Sequence, residues 1–373
     1  MPHFIFRLLN DRADAAFPLR ARLATLYALL GAANLGAWAW AWWAFGDCPA
    51  LLASSVLAWT LGLRHAVDAD HIAAIDTVTR KLVQEGRQPI GAGLFFALGH
   101  STVVTMIALA VCCAAATVET HFVTMKSVGG VIGTLASASY LFLLALFNLG
   151  MLMPALRNFR AARRGAAVRA DSLDVLGAGP VARLARPLVR MASRSWHMYP
   201  AGFLFGLGFD TASEVALFGL AALELAKGAP VWSVMVFPAL FAAGMALVDT
   251  LDGTLMLGAS NWARRRPVRK LFYNLTITLV SVLVAVGVAT IETLGMVRDR
   301  LALDGWFWGR VGALNNHVGA LGYVVIGLFA GTWLVALAVY RIKRFDDIEV
   351  VLAPPLTCPP DAAAMPARAT RAA

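Results

Sequence analysis

Apolar residues along the chain fall in blocks of about twenty, the length a helix needs to cross the hydrocarbon core of a bilayer, and short clusters rich in arginine and lysine separate them. Eight blocks stand out, at 21–45, 51–76, 91–116, 128–155, 200–225, 231–260, 271–295 and 318–341. The pattern predicts an all-α polytopic membrane protein with eight transmembrane helices. The charged clusters alternate. Arg7 to Arg22, Arg80 to Arg87, Arg157 to Arg194, Arg264 to Lys270 and Arg341 to Arg344 lie on one side, and the other side carries only Lys126, Lys227, Arg298, Arg300 and Arg310. Basic connections mark the cytoplasmic face, so both termini are expected there.

Composition agrees: 59% of the residues are hydrophobic. The net charge of +10 is then a topology signal rather than a nucleic-acid footprint. The opening MPHFIFRLLNDRADAAFPLRAR breaks any apolar core with charges and reads as a retained cytoplasmic segment. One membrane domain is expected over 1–345, with a long cytoplasmic loop near 156–199. Within that loop, LARPLVRMASRSW has the pattern of a short amphipathic surface helix. The Pro- and Ala-rich tail, 346–373, reads as disordered. Cys48, Cys112, Cys113 and Cys358 lack CxxC spacing and read as packing residues.

Against this apolar background the intramembrane polar residues carry the information, because an ionisable group in hydrocarbon costs several kcal/mol unless it faces a cavity or a partner. The second block contains RHAVDADHIAAID, with His65, Asp68, Asp70, His71 and Asp76; the third contains LGHSTVV, with His100. The fifth contains GLGFDTASE, with Asp210 and Glu214, and the sixth GMALVDTLDG, with Asp249 and Asp252. Asn34 lies in the first. Counted from the basic flanks at 1.5 Å per residue, these groups apart from Asp76 fall roughly 13–23 Å from the cytoplasmic edge, in one layer near the midplane. On a regular helix His65, Asp68, His71 and Asp76 share an arc of about 140°, and Asp70 falls outside it. Either Asp70 serves another helix or a histidine's outer shell, or the helix is irregular there.

Two stretches, GLRHAVDADH and GLGFDTASE, both run from Gly-Leu to carboxylates and lie three crossings apart, the arrangement of an inverted repeat in a secondary transporter. Imidazole with carboxylate suits late first-row divalent cations such as nickel, cobalt, copper and zinc, and the lack of thiolate suits a site that must release its ion. Single Ser, Thr and Asn residues in membrane helices, here Ser101, Thr102, Thr211, Thr250 and Thr276, read first as packing or backbone-bonding groups. Asp76 and Glu292 read as solvated helix caps, and His3, His121, His197 and His317 as spectators.

The H-x4-D-H set formed by His65, Asp70 and His71, with LGHSTVV, LGFDTASE and GMALVDTLDG, resembles the signature of the nickel/cobalt transporter family, in particular its bacterial high-affinity nickel permeases. RSWHMYP, LFYNLTIT and the closing GYVVIGLF extend the likeness over nearly the whole chain; Ser213 stands where many members have Thr. The resemblance implies a non-enzymatic permease of the bacterial inner membrane that imports Ni2+, sometimes Co2+, with the ion as substrate rather than cofactor. It implies a metal site built on His65, Asp70 and His71, with the second-helix histidines as ligands and Asn34 at a position linked to the choice between nickel and cobalt; by their shared depth, Asp68, His100, Asp210, Glu214, Asp249 and Asp252 read as further ligands, counter-charges or outer-shell groups. Its partners are the divalent ion and the bilayer, with no nucleic acid and no ATPase subunit. Metal efflux is the nearest rival, although the 156–199 loop offers only His197 where exporters of this kind carry a His-rich stretch. A membrane metalloenzyme would need a nucleophile or short-spaced His boxes, and no HExxH occurs. A sensor or channel is a further rival, and against a sensor stands the lack of any soluble output domain.

Overall fold

The structure, a computed structural model, describes residues 11, 17–113, 118–164, 168–169, 193–208, 212–263, 267–316, 318–342 and 352–353. Most of the 156–199 loop, the greater part of its amphipathic stretch, the tail beyond 353, and Asp210 lie outside the described residues. The helices are α1 Leu19–Phe45, α2 Pro49–His65, α3 Ala69–Gln84, α4 Ala92–Cys113, α5 Val118–Arg163, α6 Met198–Gly206, α7 Ala212–Ala226, α8 Val236–Ala263, α9 Pro267–Leu301, α10 Trp306–Asn316 and α11 Val318–Ile342. Prolines open several of them where the first N–H has no helical partner to lose: Pro49 and Pro267 are first residues, and Pro18 precedes α1. The only described strand pairing is the two-residue match of Val168–Arg169 with Leu352–Ala353.

Five stretches are long and apolar enough to cross a membrane: Leu19–Phe45, Ala92–Cys112, Ser137–Ala161, Val231–Ala263 and Phe272–Leu301. The bent pair α2 and α3 makes a sixth when counted as one. The expected blocks at 200–225 and 318–341 hold α6 with α7, and α11. The chain is thus an all-helical, multi-pass membrane protein.

Two expected crossings are interrupted. The block expected at 51–76 is two helices, α2 and α3, bent by 52°. The block expected at 200–225 is likewise split, with α6 ending at Gly206 and α7 beginning at Ala212. At the first break the backbone stays paired, as it must where no water can serve it. The Ala66, Val67 and Asp68 N–H groups donate to the Gly62, Arg64 and His65 carbonyls at 3.2, 3.1 and 3.0 Å. Asp68 stands at the N-cap position of the restart, in extended conformation (φ −78°, ψ 147°), and its carboxylate accepts from the Ala69 N–H at 2.8 Å. The break also explains why Asp70 fell outside the arc of a single regular helix.

Close crossings hold the first half of each broken helix. α2 meets α8 where Gly62 faces the Phe241 carbonyl and Gly244 faces the Trp59 carbonyl. α6 meets α4 where Gly202 faces the Phe96 carbonyl and Gly99 faces the Tyr199 carbonyl. In both, a methyl group at the glycine would run into opposing backbone, so small residues let the helices touch. The two crossings share one build, an aromatic three residues before each glycine: Trp59–Gly62 with Phe241–Gly244, and Tyr199–Gly202 with Phe96–Gly99. The matching frame pairs Gly62 with Gly202, one turn earlier than the Gly-Leu likeness suggests.

Beyond the breaks the environments part. α3 is walled by α4, α5, α8, α9 and α11, and Ala69 and every residue from His71 to Val83 are buried. Gly322 of α11 lies directly against the Val67 carbonyl at the break. α7 packs on α2, α4 and α8 and leaves Val215, Ala216, Ala222 and Leu223 exposed. The buried apolar residues form two clusters, one around α3, α5 and α9 and one around α1, α2, α7 and α8.

Candidate metal site

Three histidines converge at the seam between those clusters. His65 is the last residue of α2, His71 lies in the first turn of α3, and His100 follows the crossing glycine of α4. All three are buried, and their ring centroids form a nearly equilateral triangle with sides of 4.8, 4.7 and 4.9 Å. One nitrogen from each ring can be chosen so that all lie within 4.8 Å of one another. The Nε2 atoms of His65 and His100 are 2.9 Å apart. Two imidazoles sharing one metal ion at about 2.0–2.1 Å place their nitrogens roughly 3 Å apart, so this pair already has the separation a shared ion requires.

Carboxylates flank the triangle on two sides. Glu214, in the first turn of α7, brings Oε1 to 3.0 Å from His100 Nε2 and 3.9 Å from His65 Nε2. Asp249 of α8 brings Oδ1 to 3.3 Å from His71 Nδ1. An Nδ1–H donated to Asp249 leaves the His71 lone pair on Nε2, available to a cation. Two buried atoms at the site have no hydrogen-bond partner, His100 Nδ1 and Asp249 Oδ2. A buried polar atom without a partner is costly; a cation with its waters would satisfy the Asp249 oxygen, and with Nε2 as the ligand atom His100 Nδ1 carries the ring proton. The aromatic rings of the crossings back the imidazoles, with Phe241 5.3 Å from His65 and Phe96 4.8 Å from His71.

The remaining candidates divide. Asp68 caps α3, and Asp70 Oδ1 accepts from the His71 N–H at 2.8 Å. Both carboxylates offset the partial positive charge of the α3 N-terminus and lie within electrostatic range of the His71 ring. Asp252 lies within range of Asp249 and His71, and its Oδ2 is buried without a partner. Asn34 is not at the rings. Its Oδ1 accepts from Trp59 Nε1 at 3.0 Å, and its Nδ2 donates to the Ala243 and Leu30 carbonyls at 3.2 and 3.0 Å, which ties α1 to the α2–α8 crossing that carries His65.

Several residues take roles that the pattern of the chain did not reveal. Arg64 reaches across to α7, Nη1 to Ser213 Oγ at 3.4 Å. Asp76 is not a solvated cap: it is buried and paired with Arg80 at 3.1 Å. Glu292 is no cap either; it lies inside α9, half-buried, and accepts from Ser137 Oγ at 3.3 Å. Thr102 and Thr276 do bond backbone one turn earlier, to Leu98 and Phe272.

The family model for high-affinity nickel-transport proteins, NicO, matches residues 51–339. The chain belongs to this family. That match takes in both breaks and all three histidines. The chain is 55% identical to the high-affinity nickel transport protein of Cupriavidus necator, over 93% of this chain and 99% of that protein. It is 49% identical to the hydrogenase nickel incorporation protein HupN of Bradyrhizobium diazoefficiens, over 85% of this chain and 84% of that one. The cobalt transport protein NhlF of Rhodococcus rhodochrous is 38% identical, over 79% and 84% of the two chains. No solved structure matches. This is a family of transporters, not of enzymes.

Proposed function

We propose that the protein imports Ni2+ across the bacterial inner membrane as a secondary permease, binding the ion between the two helix breaks. The observation that carries this is the triangle of His65, His71 and His100, buried and flanked by Glu214 and Asp249. Imidazole ligands fit a late first-row divalent ion, and the carboxylates neutralise it as it sheds water. Asp210, Asp68 and Asp70 complete the set as counter-charges or outer-shell groups.

One transporter domain over 1–345 crosses the membrane eight times with both termini cytoplasmic; the alternation of basic clusters supports this, as does a helix in each of the eight blocks. The two like-built glycine crossings, three crossings apart, support an inverted repeat with the site at its interface, and hence alternating access. Inward movement of two charges down a potential of 100 mV releases about 4.6 kcal/mol, enough to drive accumulation without ATP. Asn34 acts on selectivity at one remove, by setting the α2–α8 crossing and so the His65 ring.

The test is 63Ni2+ uptake at nanomolar concentration in cells expressing the protein, against His65→Ala and His71→Ala at matched membrane expression, with excess unlabelled Co2+, Zn2+ or Mn2+. Uptake lost in both variants and reduced only by Co2+ supports a nickel importer that admits cobalt. No accumulation by the wild type, or net loss of preloaded nickel, overturns import.

A further inference from the structure

The polar chain continues past the histidines. Along α3, Asp76 lies five residues and about 7.5 Å beyond His71, and Arg80 one turn further; along α8, Asp252 lies three residues and about 4.5 Å beyond Asp249. Both helices run the same way here, toward the ends flanked by Lys81 and by Arg264, and they touch at this level, where Gly253 packs against Ile75. Asp252 and Asp76 are within electrostatic range of each other.

Arg80 and Asp76 are 2% and 1% exposed, deep among apolar side chains. Arg80 Nε donates to both Asp76 oxygens at 3.1 Å, Nη1 to Thr278 Oγ1 at 3.3 Å, and Nη2 to Ser281 Oγ at 2.8 Å and Asn148 Oδ1 at 3.5 Å. Ser281 Oγ donates back to Asp76 Oδ2 at 2.7 Å, and Asn148 Nδ2 donates to Thr77 Oγ1 at 3.2 Å. Stability alone does not account for the pair, since a buried ion pair is about break-even against well-packed apolar residues. Ionised groups buried inside a membrane protein point to the path of an ion. What lies between the pair and the histidines is telling: the Oδ2 atoms of Asp249 and Asp252 are both buried and unpartnered.

We propose that Asp252 and Asp76 form a release station for the metal ion on the cytoplasmic side of the histidine triangle. Arg80 is its tethered counter-cation. The guanidinium holds Asp76 while the metal sits on imidazole and gives way, still held by Thr278, Ser281 and Asn148, when the metal reaches the carboxylates. An all-oxygen station binds a late first-row cation more weakly than imidazole does, which suits a step toward release. This rests on the transport reading above and on its inward direction.

The test uses the purified full chain in liposomes, with equilibrium 63Ni2+ binding and 63Ni2+ uptake measured on the same preparations. Removing one partner of a buried pair strands a charge, so the informative variant is the double Asp76→Asn/Arg80→Gln, with Asp252→Asn as an independent second probe. Each should bind nickel with Kd within about threefold of wild type while uptake falls at least about tenfold. Misfolding would lower binding together with uptake, so this split marks a defect in translocation. Uptake by the double variant within about twofold of wild type overturns the role of the pair. A loss of binding in Asp252→Asn as large as its loss of uptake puts Asp252 in the histidine site and overturns the station. If the double variant does not purify as a single species, Asp252→Asn decides alone. Failure of the wild type itself to bind or accumulate nickel strikes the transport reading instead.

Discussion

The break between His65 and Ala69 and the break between Gly206 and Ala212 share a construction up to the point of interruption and differ beyond it. Each is approached by a helix that crosses its neighbour through two glycines and two aromatics in the same spacing. In the shared frame His65, three residues after Gly62, corresponds to Phe205, three after Gly202; His100, next to Gly99, corresponds to Met245, next to Gly244. Phe205 and Met245 are both buried. The scaffold is therefore doubled but the imidazoles are not: one half carries the rings, and the other contributes shape, Glu214 and Asp249. Past the breaks, α3 is enclosed by five helices whereas α7 shows one face to lipid. Common backbone contacts position a site here, and unequal side chains give it chemistry and a sealed side.

That comparison is broken most severely by exchanging its chemical members. His71→Ala is expected to lower nickel uptake at least about a hundredfold at normal expression, because the ring is both ligand and anchor for Asp249. His100→Leu should weaken nickel binding at least about tenfold, while Met245→Leu at the corresponding position, a volume-conserving change, stays within about twofold. Equal losses from His100→Leu and Met245→Leu in equilibrium binding would mean that the rings only pack. Glu214→Gln, which keeps shape and removes charge, should cost about tenfold in affinity.

Smaller effects separate the two second halves. Ala74→Leu in the enclosed α3 should destabilise the protein by about 1–3 kcal/mol, read as a lower melting temperature in detergent, whereas Ala216→Leu on the lipid face of α7 should leave it unchanged. The smallest effect concerns protons. Imidazole titrates ordinarily near pH 6.5 and must be neutral to bind a metal, so uptake should decline several-fold from pH 7.5 to 5.5. A flat profile would count against direct imidazole ligation.

Hydropathy made the membrane helices legible, because each block needs about twenty apolar residues whatever its neighbours are. Depth counting from basic flanks brought His65, His71 and His100 to one level, and the structure brings their rings together. The same counting placed Asn34 at that level, yet its amide serves Trp59 and Ala243, since depth says nothing of direction across the bundle. The break at Ala66–Asp68 left a trace in the misplaced face of Asp70, but an Asp cap inside a membrane helix is hard to tell from a ligand in sequence. Asp76 and Arg80 misled most. A charge pair near a helix end ordinarily faces water, and the partners that bury this one, Asn148, Thr278 and Ser281, come from two distant helices.

Nickel K-edge X-ray absorption on the purified protein, loaded with one equivalent of Ni2+, tests the central claim most directly. The account predicts a first shell of nitrogen and oxygen near about 2.1 Å with the multiple-scattering pattern of about three imidazoles and no sulfur, losing one imidazole in His100→Leu. A shell of oxygen alone, or one containing sulfur, would contradict it.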